Sequence, residues 1–274
     1  MSGSQTHAVR CLRVGPARRE DVDDRVAVEE PMEVRVNGAP FAVIMRTPGA
    51  DRDLAAGFLL AEDVVRDAAE IGTIAYCEDV DEEAERANTL AVTVVGEAVD
   101  RLGARLGSRR QVMMTASCGL CGRRTIESLR ARVSEVGGDW QVSARMVAGF
   151  PDALRETQRV FAATGGLHAA GLFDLEGRLE LAAEDVGRHN AVDKIVGRRL
   201  LEERLPLERS ILVVSGRTSY ELVQKALLAG IPLVAAVSAP SSLAVQLADA
   251  AGITLLGFVR GGGCNAYTHP HRLG

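Results

Sequence analysis

The chain is poor in thiols: its 274 residues hold five cysteines. So sparse and odd a set does not make a disulfide framework, and reduced, reactive or buried thiols are the expectation. The sequence also lacks any apolar run approaching a membrane span. Its first residues, MSGSQTHAVRCLRV, lack the basic, apolar and small-residue succession of a secretory signal. A cytoplasmic protein with no membrane partner is predicted. Positive charge is not in excess either: the formal net charge is -5, which argues against nucleic acid as a partner. Internal repeats and low-complexity segments are absent.

What is present is core material, with 47% hydrophobic residues, enough for one large domain or two modest ones. Residues 1–30 are polar, charged and aperiodic, and predict a mobile arm with one short strand at Ala8–Val14. Order begins near Pro31. Met32, Val34 and Val36 alternate up to Asn37-Gly38, a hairpin turn signal, and a second β-rich run follows. Leu54, Ala55, Phe58, Leu59 and Ala61 then recur at helical spacing, with Asp51 available as a cap, so a helix is expected to about Val65. Ile71–Tyr76 and Thr89–Val95 read as strands joined by the acidic stretch Glu78–Arg86. A strand at Arg110–Thr115 and a helix at Arg124–Val133 flank Ser117-Cys-Gly-Leu-Cys-Gly122. This first part, 31–138, reads as α+β.

Residues 139–274 read differently. Asp152–Ala163 predicts a helix, and Leu167–Phe173 with Arg178–Ala183 a hairpin. Gly187–Glu203 predicts another helix. Ser210–Ser215, Ser219–Ala229, Pro232–Ser238, Ser241–Ala250 and Ile253–Phe258 then alternate strand, helix, strand, helix, strand. Short apolar strands with helical crossovers imply parallel pairing in a sheet covered on both faces. The fold class is therefore mixed α/β. The glycine-rich tail from Gly261 to Arg272 is too polar for core.

Parallel sheets bind ligands beyond the carboxyl ends of their strands, where helix N-termini offer free N–H groups. Ser215, Gly216, Arg217, Thr218 and Ser219 lie at one such exit and Ser238–Ser242 at the next. Phe258, Val259, Arg260, Gly261, Gly262 and Gly263 form the third. Small hydroxyl residues, arginines and glycines converging on one edge suit a phosphate-bearing ligand, although neither a Walker sequence nor G-x-G-x-x-G occurs. Glu184–Asn190 carries more polar groups than helix capping requires. Its His189, with Lys194 a turn further on, is a candidate contributor to the pocket. His168 begins an apolar run and reads as a core histidine.

Cys118 and Cys121 form the chain's one Cys-x-x-Cys pair. A closed zinc site needs four ligands and this pair supplies two, so no zinc is expected. Thioredoxin-like redox shuttling usually places the pair at a helix start, whereas these thiols sit among glycines. A sulfur relay suits an exposed, pliant perch, but chemistry alone leaves relay and shuttle unresolved.

From Glu30 to Arg272 the sequence resembles the formate dehydrogenase accessory sulfurtransferases, the FdhD family. The resemblance is carried by Glu30-Pro-Met-Glu-Val-Arg-Val-Asn-Gly38, Met45-Arg-Thr-Pro-Gly49, Leu54-Ala-Ala-Gly-Phe-Leu-Leu60 and Ser117-Cys-Gly-Leu-Cys-Gly122. Further along it is carried by Thr164-Gly-Gly-Leu-His-Ala-Ala170, Glu184-Asp-Val-Gly-Arg-His-Asn-Ala-Val-Asp-Lys194 and Ser215-Gly-Arg-Thr-Ser219. It implies a homodimeric sulfurtransferase that takes sulfur from a cysteine desulfurase and passes it to the molybdenum cofactor, in its bis(molybdopterin guanine dinucleotide) form, before insertion into formate dehydrogenase. By carry-over Cys118 would hold a persulfide, Cys121 would assist, and Phe258–Gly263 would bind the cofactor. The resemblance further implies a three-layer, cytidine-deaminase-like C-terminal domain. Deamination itself is not expected: His168 is followed by Ala169-Ala170, not by the x-Glu such enzymes need. A thiol–disulfide oxidoreductase and a non-catalytic cofactor chaperone are the alternatives.

Overall fold

The computed structural model describes residues 4–77, 83–109 and 136–274. Cys118 and Cys121, the strand expected at 110–115, the helix expected at 124–133 and residues 78–82 of the acidic stretch lie outside the described residues.

The chain starts with a two-stranded antiparallel ribbon, β1 (Thr6–Val14) and β2 (Arg19–Ala27), where the sequence predicts an arm with a single strand. Most of its residues are exposed, which is why no apolar alternation announces it. The base is fixed by the Gln5 side-chain amide donating to Pro48 O at 2.7 Å. β3 (Glu30–Val36) and β4 (Ala39–Arg46) form the expected hairpin. Asn37 and Gly38 both take positive φ, 48° and 80°, the geometry that matches strand twist in a two-residue turn.

Helix α1 (Asp51–Ala61) is shorter than expected and begins after Ala50 in the left-handed region. Asp51 is not the cap. Its carboxylate is held within the fold by Arg46 at 3.0 Å and the Tyr76 hydroxyl at 2.9 Å. β5 (Ile71–Tyr76), a short helix α2 (Glu83–Arg86), β6 (Thr89–Val94) and α3 (Glu97–Arg109) follow. The first sheet has the order β4-β3-β6-β5, and β3 pairs with β6 in parallel.

α4 (Ala144–Thr157) and α5 (Arg159–Thr164) replace the single helix predicted over 152–163. The break falls at Gln158, and Pro151 sits inside α4. Then come β7 (His168–Phe173), β8 (Leu179–Asp185), α6 (Arg188–Leu201), β9 (Ile211–Val214), α7 (Tyr220–Leu228), β10 (Leu233–Ala236), α8 (Ser242–Ala250), β11 (Thr254–Arg260) and β12 (Gly263–Thr268). The second sheet has the order β12-β11-β10-β9-β7-β8. Its β9, β10 and β11 are parallel as expected, and its other three strands run antiparallel to their neighbours.

Alternate strand residues face opposite layers, as a period of two requires. Phe173, Ile211, Val213 and Leu256 pack on Val147, Phe150 and Leu154 of α4. Leu172, Leu212, Val214 and Leu255 pack on the side of α6, α7 and α8. The second sheet is thus the middle of three layers. The cluster on the α6 side runs on without interruption into Met32, Val34, Leu54, Leu59 and Leu90 of the first part. α1 and α6 join the two parts, crossing backbone to backbone. A Cβ on Gly57 would lie 2.1 Å from Asp193 O, and one on Gly197 would lie 1.8 Å from Asp53 O.

Candidate functional site

Strand direction decides what reaches the edge of the second sheet. The carboxyl ends of parallel β9, β10 and β11 open there, and the helices that follow present their N-termini. β7 runs opposite to β9, pairing Ala170 with Val214, so its first residue, His168, arrives at the same edge. β8 reverses again and sets Asp185 opposite His168. The start of α6 therefore joins the starts of α7 and α8 at this edge.

The expected loops are brought together. Thr218 N donates to Ala239 O at 3.2 Å, Ser241 N to Thr218 O at 2.9 Å, and Phe258 N to Ser238 O at 3.2 Å. Ser215 stitches β9 to β7: its N donates to Ala169 O and its hydroxyl accepts from Ala169 N, at 3.0 and 2.9 Å. Ser219 is the N-cap of α7 but its side chain makes no cap bond. Its hydroxyl lies 3.0 Å from His189 Nε2, which is also 3.0 Å from Glu221 Oε2. The carboxylate can only accept, so that ring nitrogen carries the proton. The His189 bond holds the Glu221 carboxyl below the usual carboxylate range. Thr218 is 1% exposed, and among the described residues its hydroxyl has no partner.

Other expected residues are placed elsewhere. The Lys194 ammonium donates to Thr47 O at 2.9 Å and Glu184 O at 3.2 Å and meets Asp185 Oδ2 at 2.7 Å. Its three protons are thereby spent on the fold. Val259 is fully buried with the α4 layer. Gly261 and Gly262, at φ 61° and 84°, form the turn between β11 and β12, and Gly263 opens β12. The glycine run is therefore a hairpin turn. Gly262, Gly263 and Cys264 line a groove of about 630 Å³ on the α4 side. Arg260 is exposed, its guanidinium 5.4 Å from the Phe258 ring centre. The described cysteines, Cys11, Cys77 and Cys264, are free thiols, and burial pushes the Cys264 thiol up, away from the reactive thiolate.

His168 is the addition that sequence reading did not supply; Arg188 lies in the Glu184–Asn190 stretch that the sequence already marks as over-polar for capping. A Cβ on Gly216 would lie 3.3 Å from His168 Nδ1 and 3.8 Å from Arg188 Cδ, so both side chains close on that glycine. A signal existed: a hairpin feeding directly into a helix must bring its first strand's start to the edge where the helix begins.

The chain is thus a mixed α/β protein whose three-layer part gathers helix N-termini, imidazoles and arginines on one sheet edge. It belongs to the FdhD/NarQ family, whose model matches residues 27–274. "Sulfur carrier protein FdhD" from Streptomyces avermitilis is 46% identical over 99% of this chain and 96% of that protein. Its namesake from Mycobacterium tuberculosis is 49% identical over 91% of this chain and 92% of that protein. A crystal structure of a candidate formate dehydrogenase accessory protein from Desulfotalea psychrophila superposes with a TM-score of 0.77 at 25% identity. It covers 98% of this chain and 100% of its own. Among the described residues no helix is long and apolar enough to cross a membrane.

Proposed function

We propose that this protein is a sulfur carrier working in the cytoplasm as a homodimer. It accepts persulfide sulfur from a cysteine desulfurase and passes it to the bis(molybdopterin guanine dinucleotide) form of the molybdenum cofactor, before that cargo enters formate dehydrogenase. The observation that carries the reading is the pairing of a Cys-x-x-Cys motif with a sheet edge suited to phosphate groups, in a chain whose relatives are called sulfur carriers. The cargo's pyrophosphates and guanines would occupy the edge formed by the loops at 215–219, 238–242 and 258–260.

In loading, the Cys118 thiolate attacks the outer sulfur of the donor persulfide. A new S–S bond forms, the donor leaves as a thiolate, and Cys118 keeps the extra sulfur. In discharge, the Cys121 thiolate attacks the inner sulfur of Cys118. Hydrosulfide leaves toward the cargo, a Cys118–Cys121 disulfide remains, and a cellular dithiol must reopen it.

Mass spectrometry after incubation with a cysteine desulfurase and cysteine tests the first step. One added sulfur on Cys118 is expected, and an unmodified Cys118 beside a charged donor overturns the relay. If Cys118→Ala still restores formate dehydrogenase activity in a deficient cell, the protein acts as a chaperone of the cofactor instead.

A further inference from the structure

The bare peptide at Gly216 is the floor of a gathering of charge. His168 approaches it from β7, Arg188 from the first turn of α6, and Arg217 is its exposed neighbour in the loop. Among the described residues Arg188 Nε is buried without a hydrogen-bond partner, as is the hydroxyl of Thr218, two residues beyond Gly216. Two helix N-termini flank the spot with no side-chain cap of their own, α6 behind Gly187 and α7 behind Ser219. Gly216 lets His168 and Arg188 approach its backbone closely, with Arg217 beside it and two helix starts on either side.

We propose that His168, Arg188 and Arg217 form an oxyanion pocket around Gly216 that receives a pyrophosphate group, and that filling it draws one proton onto His168. The pocket rests on the phosphate-bearing cargo proposed above, to which it adds the residues that grip the phosphate and a proton taken up with it. Burial is the main force that lowers the proton affinity of His168, reinforced by Arg188, His189 and Arg217, while Asp185 opposes them. The wider surroundings are mixed: Glu221 and Lys225 on α7 face α6, where Lys225 pairs with buried Asp193 at 2.6 Å. A bound anion reverses the balance at the imidazole. It offsets the neighbouring positive charge, raises the proton affinity of His168, and so gains affinity itself as pH falls.

Calorimetric titration of the full chain with guanosine diphosphate, in two buffers of different ionisation heat, reads affinity and proton uptake together. Wild type is expected to take up more protons near neutral pH than His168→Asn, and that comparison cancels the nucleotide's own titration. Arg217→Gln removes an exposed charge without touching the core and should weaken binding about tenfold or more, the usual worth of a charge-assisted hydrogen bond. Gly216→Ala keeps every charge but fills the floor, and should abolish binding. Wild-type affinity in both Arg217→Gln and Gly216→Ala, or equal proton uptake in wild type and His168→Asn, overturns the proposal. Because the readout involves no thiol, a failure of sulfur loading on Cys118 would leave these results standing. Failure of this pocket would equally leave the persulfide measurement intact.

Discussion

Lys194 and Asp185 meet at 2.7 Å with side chains only 3% and 0% exposed. The pair does more than join β8 to α6. Asp185 also accepts from Thr47 N at 3.2 Å, and Lys194 donates to Thr47 O, so a strap from the first part of the chain is clamped to the second by one buried ion pair. A cation that sequence alone makes a candidate for phosphate is engaged by three oxygens of the fold.

Removing Lys194 should therefore unfold the protein rather than selectively empty its ligand site. Lys194→Met leaves a buried carboxylate unpaired, which costs about 3–5 kcal/mol. Denaturant melts should show that loss. Nucleotide affinity of the fraction still folded should stay within about threefold of wild type, well short of the tenfold loss typical for a direct charged ligand.

The α1–α6 crossing tolerates no side chain. Gly57→Ala and Gly197→Ala each drive a methyl group to within about 2 Å of a carbonyl oxygen on the facing helix. Backbone must move to admit it, so each substitution should cost at least about 3 kcal/mol, the upper end of ordinary overpacking. Thermal melts of the two variants measure this. Gly103→Ala, on α3 where nothing lies within 4 Å, is the control expected to melt no lower than wild type.

Tyr76 should titrate late. Burial, then the charge and hydrogen bond of Asp51, push its hydroxyl up to about 12. The difference in phenolate absorbance between wild type and Tyr76→Phe should have its midpoint there, against about 10 for a free tyrosine. The native protein holds this proton where the unfolded chain has released it. The contribution to stability is thus full below pH of about 10 and lost as pH rises toward about 12.

Thr218→Val separates ligand binding from folding. The hydroxyl has no partner among the described residues, so replacing it with a methyl group should be neutral or mildly stabilising in melts. Guanosine diphosphate should bind that variant more weakly if the hydroxyl serves the ligand, and calorimetry reads the difference directly.

Local pattern made much of the fold legible. The hairpin at Asn37-Gly38 follows from a two-residue period, and the succession from Ser210 to Phe258 from short apolar runs separated by helical 3.6-residue periods, which need no knowledge of the rest of the chain. Of the β1–β2 ribbon only the strand at Ala8–Val14 was legible; β2 was hidden because it buries little, its Val26 standing 43% exposed. Helix α3 was missed because its apolar Ala98, Leu102 and Leu106 are diluted by glycine and arginine. At the site, the three strand exits were readable from small residues after apolar runs. The structural partners of Lys194 were not readable because one of the oxygens it serves lies far away in sequence, at Thr47. His168 was undervalued for a similar reason: only the reversed direction of β7 carries it to the edge.

The glycine crossing between α1 and α6 also bears on how the family can vary. A seam lined with side chains can be re-tuned when one half changes, by swapping a larger residue for a smaller one opposite. Where two backbones touch, as at Gly57 and Gly197, no such adjustment exists. Exchange of whole halves between relatives therefore requires both glycines to be kept, together with the apolar cluster and the Lys194–Asp185 clamp that cross the same joint.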